Sequence, residues 1–182
     1  MKVIALGGEP ATGKTTLTKR LFRNIPDLQV TKYGLLRLLV SDEAKLLLLG
    51  IYNFKVGMPF EGTDKLSMSV VVDARRFVKW ATNNRKDYTI FFEGDRLFAQ
   101  DFIDYCQSIC ETKVYILTCE AQTLTKRHAE RGDLQNGSWL KGRATKLSNI
   151  ANEPRNKVTL LPNDDKDDMI RNLKILREEL SL

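Results

Sequence analysis

The segment KVIALGGEPATGKTT, residues 2–16, decides the fold. Its first residues, Lys2–Leu6, are mostly apolar and predict a short buried strand. The next eight, Gly8–Thr15, fit the pattern G-x-x-x-x-G-K-S/T, in which backbone N–H groups wrap phosphate oxygens. Thr15–Asn24 then predicts a helix that ends before Pro26 and points its positive end at the loop. A strand, a glycine-containing loop and a helix in this order predict a phosphate-binding site.

The residue types in this loop match the chemistry of a nucleoside triphosphate. Gly8 and Gly13 stand where a side chain would strain or block the turn. Lys14 is expected to reach the β- and γ-phosphates, and the Thr15 hydroxyl to bind Mg²⁺. The alternative, a glycine-rich turn without a ligand, is disfavoured by the flanking strand and helix. We therefore expect ATP and Mg²⁺ at this loop, with the nucleotide bound by Gly8, Pro10, Ala11, Thr12, Gly13, Lys14, Thr15 and Thr16.

The composition excludes several classes of protein. The chain has 182 residues, 42% hydrophobic and 29% charged, which is the balance of one folded domain. The most apolar run, Leu46–Tyr52, is far shorter than the roughly 20 residues of a membrane-spanning helix. The N-terminus has no signal-peptide pattern, so we expect a cytoplasmic protein without a membrane partner. Three cysteines without metal-type spacing and one histidine argue against a zinc site.

Strand and helix patterns alternate along the rest of the chain. Apolar segments predict further strands at Leu28–Tyr33, Lys45–Tyr52, Tyr88–Phe92, Lys113–Thr118 and Lys157–Leu161. Amphipathic segments predict helices at Asp64–Asn83, Leu97–Ile109, Ala121–Arg131, Ser138–Ile150 and Asp164–Leu180. The first of these helices would be capped by Asp64. This alternation predicts an α/β fold whose mainly parallel sheet is covered on both faces.

An acidic segment, Glu93-Gly94-Asp95-Arg96, follows the predicted strand Tyr88–Phe92. Ligands of parallel sheets lie at the carboxyl ends of the strands, so Glu93 and Asp95 are expected near the phosphates. Glu93 would join the magnesium shell, and Asp95, or alternatively Asp64, would accept a proton from the acceptor hydroxyl. Arg96 would bind a phosphate of the acceptor. The alternative is a turn-capping pair with an ion-paired arginine. Two roles are open for Asp64: it could cap the helix, or it could contact the acceptor.

A cluster of basic residues predicts a lid at about 123–150. Arg127 and Arg131 are four residues apart on one helix face and precede Gly132, so they are expected to close over the triphosphate and neutralise charge. Arg143 and Lys146 on the next helix are expected to face the acceptor. Residues 126–157 contain eight basic and three acidic residues. This imbalance suits a polyanion, either nucleotide phosphates or a DNA backbone, although a solvated basic face would have the same composition.

The order of these motifs resembles that of the P-loop kinase superfamily of nucleoside and nucleotide kinases. Three segments, 62–68, 93–98 and 141–146, are similar to small kinase-like proteins of tailed bacteriophages, some of which phosphorylate 5-hydroxymethyluracil within phage DNA. The resemblance implies a three-layer fold with a five-stranded, mainly parallel sheet and a helical lid. It also implies ATP, Mg²⁺ and a carboxylate at Glu93 or Asp95 near the acceptor. The loop residues Glu9–Thr12 depart from the Asp-Arg-Ser type of sequence usual in thymidylate kinases.

These observations favour an ATP-dependent kinase whose acceptor is a hydroxyl on a nucleic-acid base or a nucleotide. The basic cluster favours a DNA acceptor of the 5-hydroxymethyluracil type. A free nucleoside or nucleoside-monophosphate kinase is the alternative within the same class. A nucleotide-switch ATPase or a DNA-binding regulator is the alternative from another class. The sequence leaves three questions open: the acceptor, the carboxylate that acts as the general base, and the oligomeric state.

Overall fold

Seven strands form one sheet in the part of the chain that the structure, a computed structural model, describes: residues 1–52, 62–132 and 137–182, without the side chain of Arg131. The strands are β1 Lys2–Gly8, β2 Gln29–Tyr33, β3 Leu36–Ser41, β4 Leu46–Leu49, β5 Thr89–Glu93, β6 Glu111–Thr118 and β7 Thr159–Pro162. The helices are α1 Lys14–Phe22, α2 Val70–Asn84, α3 Gln100–Ile109, α4 Ala121–Arg131, α5 Gly137–Asn152 and α6 Lys166–Leu180, and a short 3₁₀ turn covers Pro154–Asn156.

The strand order is β2-β3-β4-β5-β1-β6-β7. The five strands from β4 to β7 in this order are mutually parallel, while β3 is antiparallel to both β2 and β4. The expectation of an α/β fold with a mainly parallel sheet is confirmed, but the expected total of five strands is wrong. The chain turns back after Tyr33 through Gly34 and Leu35, so that β2 and β3 add an antiparallel hairpin to one edge.

The central strand β1 is buried on both faces, which explains its run of consecutive apolar residues. Val3 and Ala5 belong to one core cluster, which α2, α3 and α5 cover. Ile4 and Leu6 belong to the other, which α1 and α6 cover. The result is a three-layer arrangement. No helix among the described residues is long and apolar enough to cross a membrane.

Helix α2 begins at Val70, so the prediction that Asp64 caps it is wrong. The segment before it is a turn in which Leu66 N–H donates to the carbonyl of Thr63 at 3.0 Å. The Thr63 hydroxyl donates to the carbonyl of Glu93 at 2.7 Å. This bond ties the segment to the end of β5, and the helix starts only after the chain has left that strand end.

Other boundaries differ by a few residues. Helix α3 starts at Gln100 and not at Leu97, because residues 94–98 form a turn closed by the Phe98 N–H and the Gly94 carbonyl at 3.0 Å. Helix α6 is capped by Asp165, whose carboxylate accepts from the N–H groups of Asp167 and Asp168 at 2.9 Å each. Most of the segment between the predicted strand Lys45–Tyr52 and the predicted helix Asp64–Asn83 lies outside the described residues, as does part of the predicted lid.

The connections after β1 and β5 create the crevice where the site lies. The two strands are parallel neighbours, and Leu6 is in register with Glu93. Helix α1 follows β1 into one layer, whereas α3 follows β5 into the other. The two connecting segments therefore diverge at the carboxyl edge of the sheet, which is the position where ligands bind in open α/β sheets.

Candidate active site

The phosphate loop joins the end of β1 at Gly8 to the start of α1 at Lys14. The Thr12 hydroxyl donates to the carbonyl of Glu9 at 2.8 Å and closes the turn. Gly13 has φ 94°, and a Cβ atom there would lie 2.7 Å from Asn163 Nδ2. A side chain at residue 13 would therefore be strained and would displace the loop's neighbour. The local geometry explains why the motif requires glycine at this position.

The ammonium of Lys14 lies inside the curve of the loop. Its Nζ donates to the carbonyls of Gly8 and Glu9 at 2.7 and 2.8 Å. Thr15 is half-buried in the first turn of α1, beside the cleft, while Thr16 is exposed. The N-terminal N–H groups of α1 and the Lys14 charge together make this end of the cleft suited to an anion.

Glu93 is the last residue of β5 and is only 2% exposed. The pKa of its carboxyl is raised to about 7, mainly by burial; the Lys14 ammonium opposes this shift, and the nearby charges of Asp64 and Asp95 contribute to it. Gly62 has φ 55°, and a Cβ atom there would collide with the Glu93 carboxylate. The chain thus packs its own backbone against a buried carboxyl whose pKa lies well above its usual range.

Asp64 and Arg96 meet across the mouth of the crevice. The Arg96 N–H donates to Asp64 Oδ1 at 3.4 Å, and its Nη2 donates to the Asp64 carbonyl, also at 3.4 Å. The guanidinium also contacts the Met68 sulfur. Arg96 Nε is buried and has no hydrogen-bond partner among the described residues. Arg96 therefore keeps donor capacity beside the cleft.

Asp95 receives two cations from α5. Arg143 Nη1 lies 2.9 Å from Asp95 Oδ2, and Lys146 Nζ lies 3.7 Å from Oδ1 and donates to the Asp95 carbonyl at 3.0 Å. Burial lowers the pKa of Lys146, and the Asp95 charge partly restores it. These contacts hold α5 against the carboxyl end of β5.

One cleft of about 360 Å³ brings most of the predicted site residues together. Glu93 is not among the residues that line it. The lining combines the phosphate loop with two carboxylates, Asp64 and Asp95, and with two guanidinium groups, Arg96 and Arg143. Its residues are Pro10, Ala11, Gly13, Lys14, Thr15, Asp64, Asp95, Arg96, Trp139 and Arg143.

Arg127 does not line this cleft. Its Nη1 donates to the carbonyl of Ala11 at 3.3 Å, and its Nη2 donates to the carbonyls of Asn163 and Asp164 at 2.9 Å each. The guanidinium therefore links the phosphate loop to the segment after β7. The predicted transition-state role of Arg127 stays a prediction, as does that of Arg131, whose side chain lies outside the described residues.

The sequence reasoning missed Asn163. This residue is fully buried, and its Nδ2 donates to the carbonyl of Thr12 at 2.6 Å. Asn172 Nδ2 donates in turn to Asn163 Oδ1 at 3.4 Å. The available signal was the polar run after the last predicted strand, because its carboxyl end lies at the same edge of the sheet as the phosphate loop.

The residues fit ATP and a magnesium ion. The loop offers backbone donors and an ammonium to the phosphates, and the Thr15 hydroxyl and the Glu93 carboxylate are hard oxygen ligands of the kind that Mg²⁺ prefers. Among the described residues no three histidine, cysteine or acidic side chains form a preformed metal cluster. This donor set suits an ion that keeps waters and shares the phosphates of its nucleotide.

The fold and the site together define a P-loop kinase. The chain belongs to the P-loop Nucleotide Kinase3 family, whose model matches residues 1–160. The match includes the phosphate loop, the acidic end of β5 and the whole of α5.

Solved structures of other kinases have a similar chain course. A sugar kinase from Janibacter sp. HTCC2649 is 16% identical, with 97% of this chain and 94% of that chain covered, at a TM-score of 0.52. A gluconokinase from Sinorhizobium meliloti 1021 is 12% identical, with 99% and 95% covered, at a TM-score of 0.48. At 16% identity the likeness to the sugar kinase shows the fold alone. No protein of curated function matches the sequence significantly.

Proposed function

We propose that this kinase transfers the γ-phosphoryl group of ATP to a hydroxyl on a nucleic-acid base or a nucleotide, with 5-hydroxymethyluracil in DNA as the preferred acceptor. One observation carries the proposal. A single cleft contains Lys14 and Thr15 of the phosphate loop together with the carboxylate of Asp95 and the guanidinium groups of Arg96 and Arg143. The phosphate loop and the candidate acceptor residues therefore line the same space.

On the donor side, the carbonyl-bound ammonium of Lys14 is placed to exchange its loop partners for phosphate oxygens. The backbone of Gly13 and the N-terminus of α1 add donors that neutralise the phosphates. Thr15 and Glu93 would hold Mg²⁺, which would supply further charge neutralisation of the phosphates. Catalysis here consists of positioning and charge stabilisation.

On the acceptor side, Asp95 is the better candidate for the base. It lines the cleft, whereas Glu93 is not among the lining residues and is only 2% exposed. The acceptor oxygen would form a bond to the γ-phosphorus as the bond from that phosphorus to the bridging oxygen of ADP breaks. The acceptor proton would pass to the Asp95 carboxylate.

The charge of the acceptor side favours a polyanion. Arg96, Arg143 and Lys146 surround the cleft mouth, and residues 126–157 carry eight basic against three acidic residues. A DNA acceptor places phosphates on both sides of the reacting base, which uses several cations at once. A free nucleoside would leave most of them without an anionic partner from the substrate.

The deciding experiment supplies γ-labelled ATP and Mg²⁺ with four acceptors: free nucleosides, nucleoside monophosphates, unmodified DNA and DNA containing 5-hydroxymethyluracil. We expect label transfer to the last, with a steep loss of rate as salt rises. Transfer to monophosphates alone, with mild salt dependence, would identify a nucleotide kinase. ATP hydrolysis that ignores every acceptor would refute phosphotransfer and identify a switch ATPase. Lys14→Ala is the control that should lose all transfer.

A further inference from the structure

Helix α5 presents three residues of different chemistry on one face. Trp139, Arg143 and Lys146 are spaced four and three residues apart, which places them on the same side of a helix. Trp139 and Arg143 line the cleft, and Lys146 reaches the Asp95 carbonyl at its edge. An aromatic ring, a guanidinium and an ammonium therefore lie in sequence along the acceptor wall.

Trp139 is not a core residue. Its side chain is 40% exposed and belongs to neither hydrophobic core cluster of the described residues. The Arg143 guanidinium lies over the ring, 4.9 Å from its centre, and the same group pairs with Asp95 at 2.9 Å. This contact chain fixes the indole relative to the carboxylate that we assign as the base.

The electrostatics of the face also point to an anionic ligand. Arg143 and Lys146 share a single carboxylate, Asp95, so this group of three carries a net positive charge. Arg96 adds a guanidinium with a buried nitrogen that has no partner among the described residues. A phosphate that binds at this face could therefore accept hydrogen bonds from several cationic side chains near the indole.

Building on the proposed phosphotransfer, we propose that this face of α5 is the acceptor site and binds a nucleotide unit, with the base stacked on Trp139 and the phosphate paired with Arg143 and Lys146. A nucleotide unit offers both groups that this face suits, a planar base for the exposed indole and a phosphate for the two cations. The same chemistry occurs in a free nucleotide and in a residue of a strand. The experiment below separates these two sources.

The chain contains only two tryptophans, Trp80 and Trp139, which makes the site directly observable. Trp80 packs against Phe77 and Tyr33, with ring centres 5.7 and 6.4 Å apart, and does not line the cleft. Trp80→Phe therefore leaves Trp139 as a single fluorescent reporter. This variant is titrated, without ATP, with thymidine 5′-monophosphate, thymidine and ribose 5-phosphate.

We expect saturable quenching of Trp139 by thymidine monophosphate, roughly tenfold to a hundredfold weaker binding of ribose 5-phosphate, and weaker binding of thymidine as well. In the wild-type background, calorimetry should show that Trp139→Ala loses the same factor, whereas Trp139→Phe keeps a ring and binds within about threefold. Equal affinity for thymidine monophosphate and ribose 5-phosphate, or no loss in Trp139→Ala, would overturn the inference.

A single-stranded oligonucleotide distinguishes the two sources of the nucleotide. Tighter binding than the monophosphate, with a steep salt dependence, would assign the site to a strand. Equal binding with a shallow salt dependence would assign it to a free nucleotide. Binding without phosphoryl transfer to any acceptor would uphold the site and refute the proposed function. Transfer to a non-aromatic acceptor at wild-type rate in Trp139→Ala would overturn the inference and leave phosphotransfer intact.

Discussion

The side-chain amide of Asn163 donates a 2.6 Å hydrogen bond to the carbonyl of Thr12, across 151 residues of sequence. Asn163 is fully buried, and Asn172 fixes its amide orientation through a bond to Oδ1. Because the Thr12 carbonyl belongs to the phosphate loop, the segment after β7 determines the curve of that loop. Asn163 is therefore a positioning residue for the donor phosphates.

Replacing Asn163 with alanine should weaken ATP binding more than it slows the chemical step. The loop would lose a buried hydrogen bond, and the Thr12 carbonyl would keep only the weak 3.9 Å contact with the Cys119 thiol, at a cost of about 1–3 kcal/mol in stability. We expect KM for ATP to rise about tenfold while kcat changes less than threefold, measured by steady-state kinetics with the best acceptor.

A matched control separates this role from a general loss of stability. Asn156 is also buried, but it bonds to Gln100 and to the carbonyl of Ile150, away from the loop. Asn156→Ala should lower the melting temperature comparably and leave KM for ATP unchanged. Equal increases of KM in both variants would show that Asn163 acts only through stability.

Glu93 should make the ligand-free protein less stable as pH rises through the acidic range. Burial raises its folded pKa from 4.5 to about 7, so the folded state binds this proton more tightly than the unfolded state does. The stabilising contribution is complete below pH 4.5, declines between pH 4.5 and 7, and is absent above pH 7. The decline amounts to on the order of 3 kcal/mol, by the conversion of pKa to free energy.

Denaturant unfolding without nucleotide and with a chelator, at a series of pH values, measures this decline. Glu93→Gln should lack this component of the pH dependence while remaining folded. Because the Lys14 ammonium opposes the shift, Lys14→Ala should extend the decline to higher pH. Identical pH profiles for wild type and Glu93→Gln would contradict the buried, near-neutral carboxyl.

The parts of the fold that depend on the local pattern of apolar and glycine residues could be predicted from the sequence. Residues 2–22 form the strand, loop and helix that the motif predicts, since each step depends on neighbouring residues. Strand β3 was missed because its run of Leu36, Leu38, Leu39 and Val40 has no strict alternation that would distinguish a strand from a loop or helix. Those side chains pack on both faces of the sheet, which only the hairpin and its neighbours explain.

The site divides in the same way. Lys14, Asp95 and Arg143 could be placed in one cleft from strand ends and helix spacing. The contacts of Arg127 and Asn163 could not, because the distance of each side chain from the phosphate loop depends on the order in which β1, β6 and β7 lie in the sheet. The local sequence gives no information on the distance between these side chains and the phosphate loop.

Asp95 and Arg143 should be coupled in catalysis. Asp95→Asn removes the proposed base, so we expect kcat to fall by two orders of magnitude or more. Arg143→Ala should raise KM for the acceptor about tenfold and lower kcat modestly. In the double variant the losses should not add, because the two side chains form one ion pair at 2.9 Å. Full additivity in the kinetic cycle would show that the pair does not act as a unit.

Arg127 and Arg131 should separate into two different roles. Arg127 donates to the Ala11 carbonyl and to the carbonyls of Asn163 and Asp164, so its loss should loosen the phosphate loop and raise KM for ATP about tenfold. Arg131 is the arginine that we predict to neutralise transition-state charge, and Arg131→Ala should lower kcat by at least a hundredfold with little change in ATP affinity.

Arg127→Lys provides the test of the first role, since a lysine retains the charge but cannot span three carbonyls as a guanidinium does. If Arg127 acts through these hydrogen bonds, Arg127→Lys should resemble Arg127→Ala in KM for ATP. If it acts through charge on the transferring group, Arg127→Lys should recover much of kcat. A large kcat loss in Arg127→Ala at unchanged KM would return Arg127 to a direct catalytic role beside Arg131.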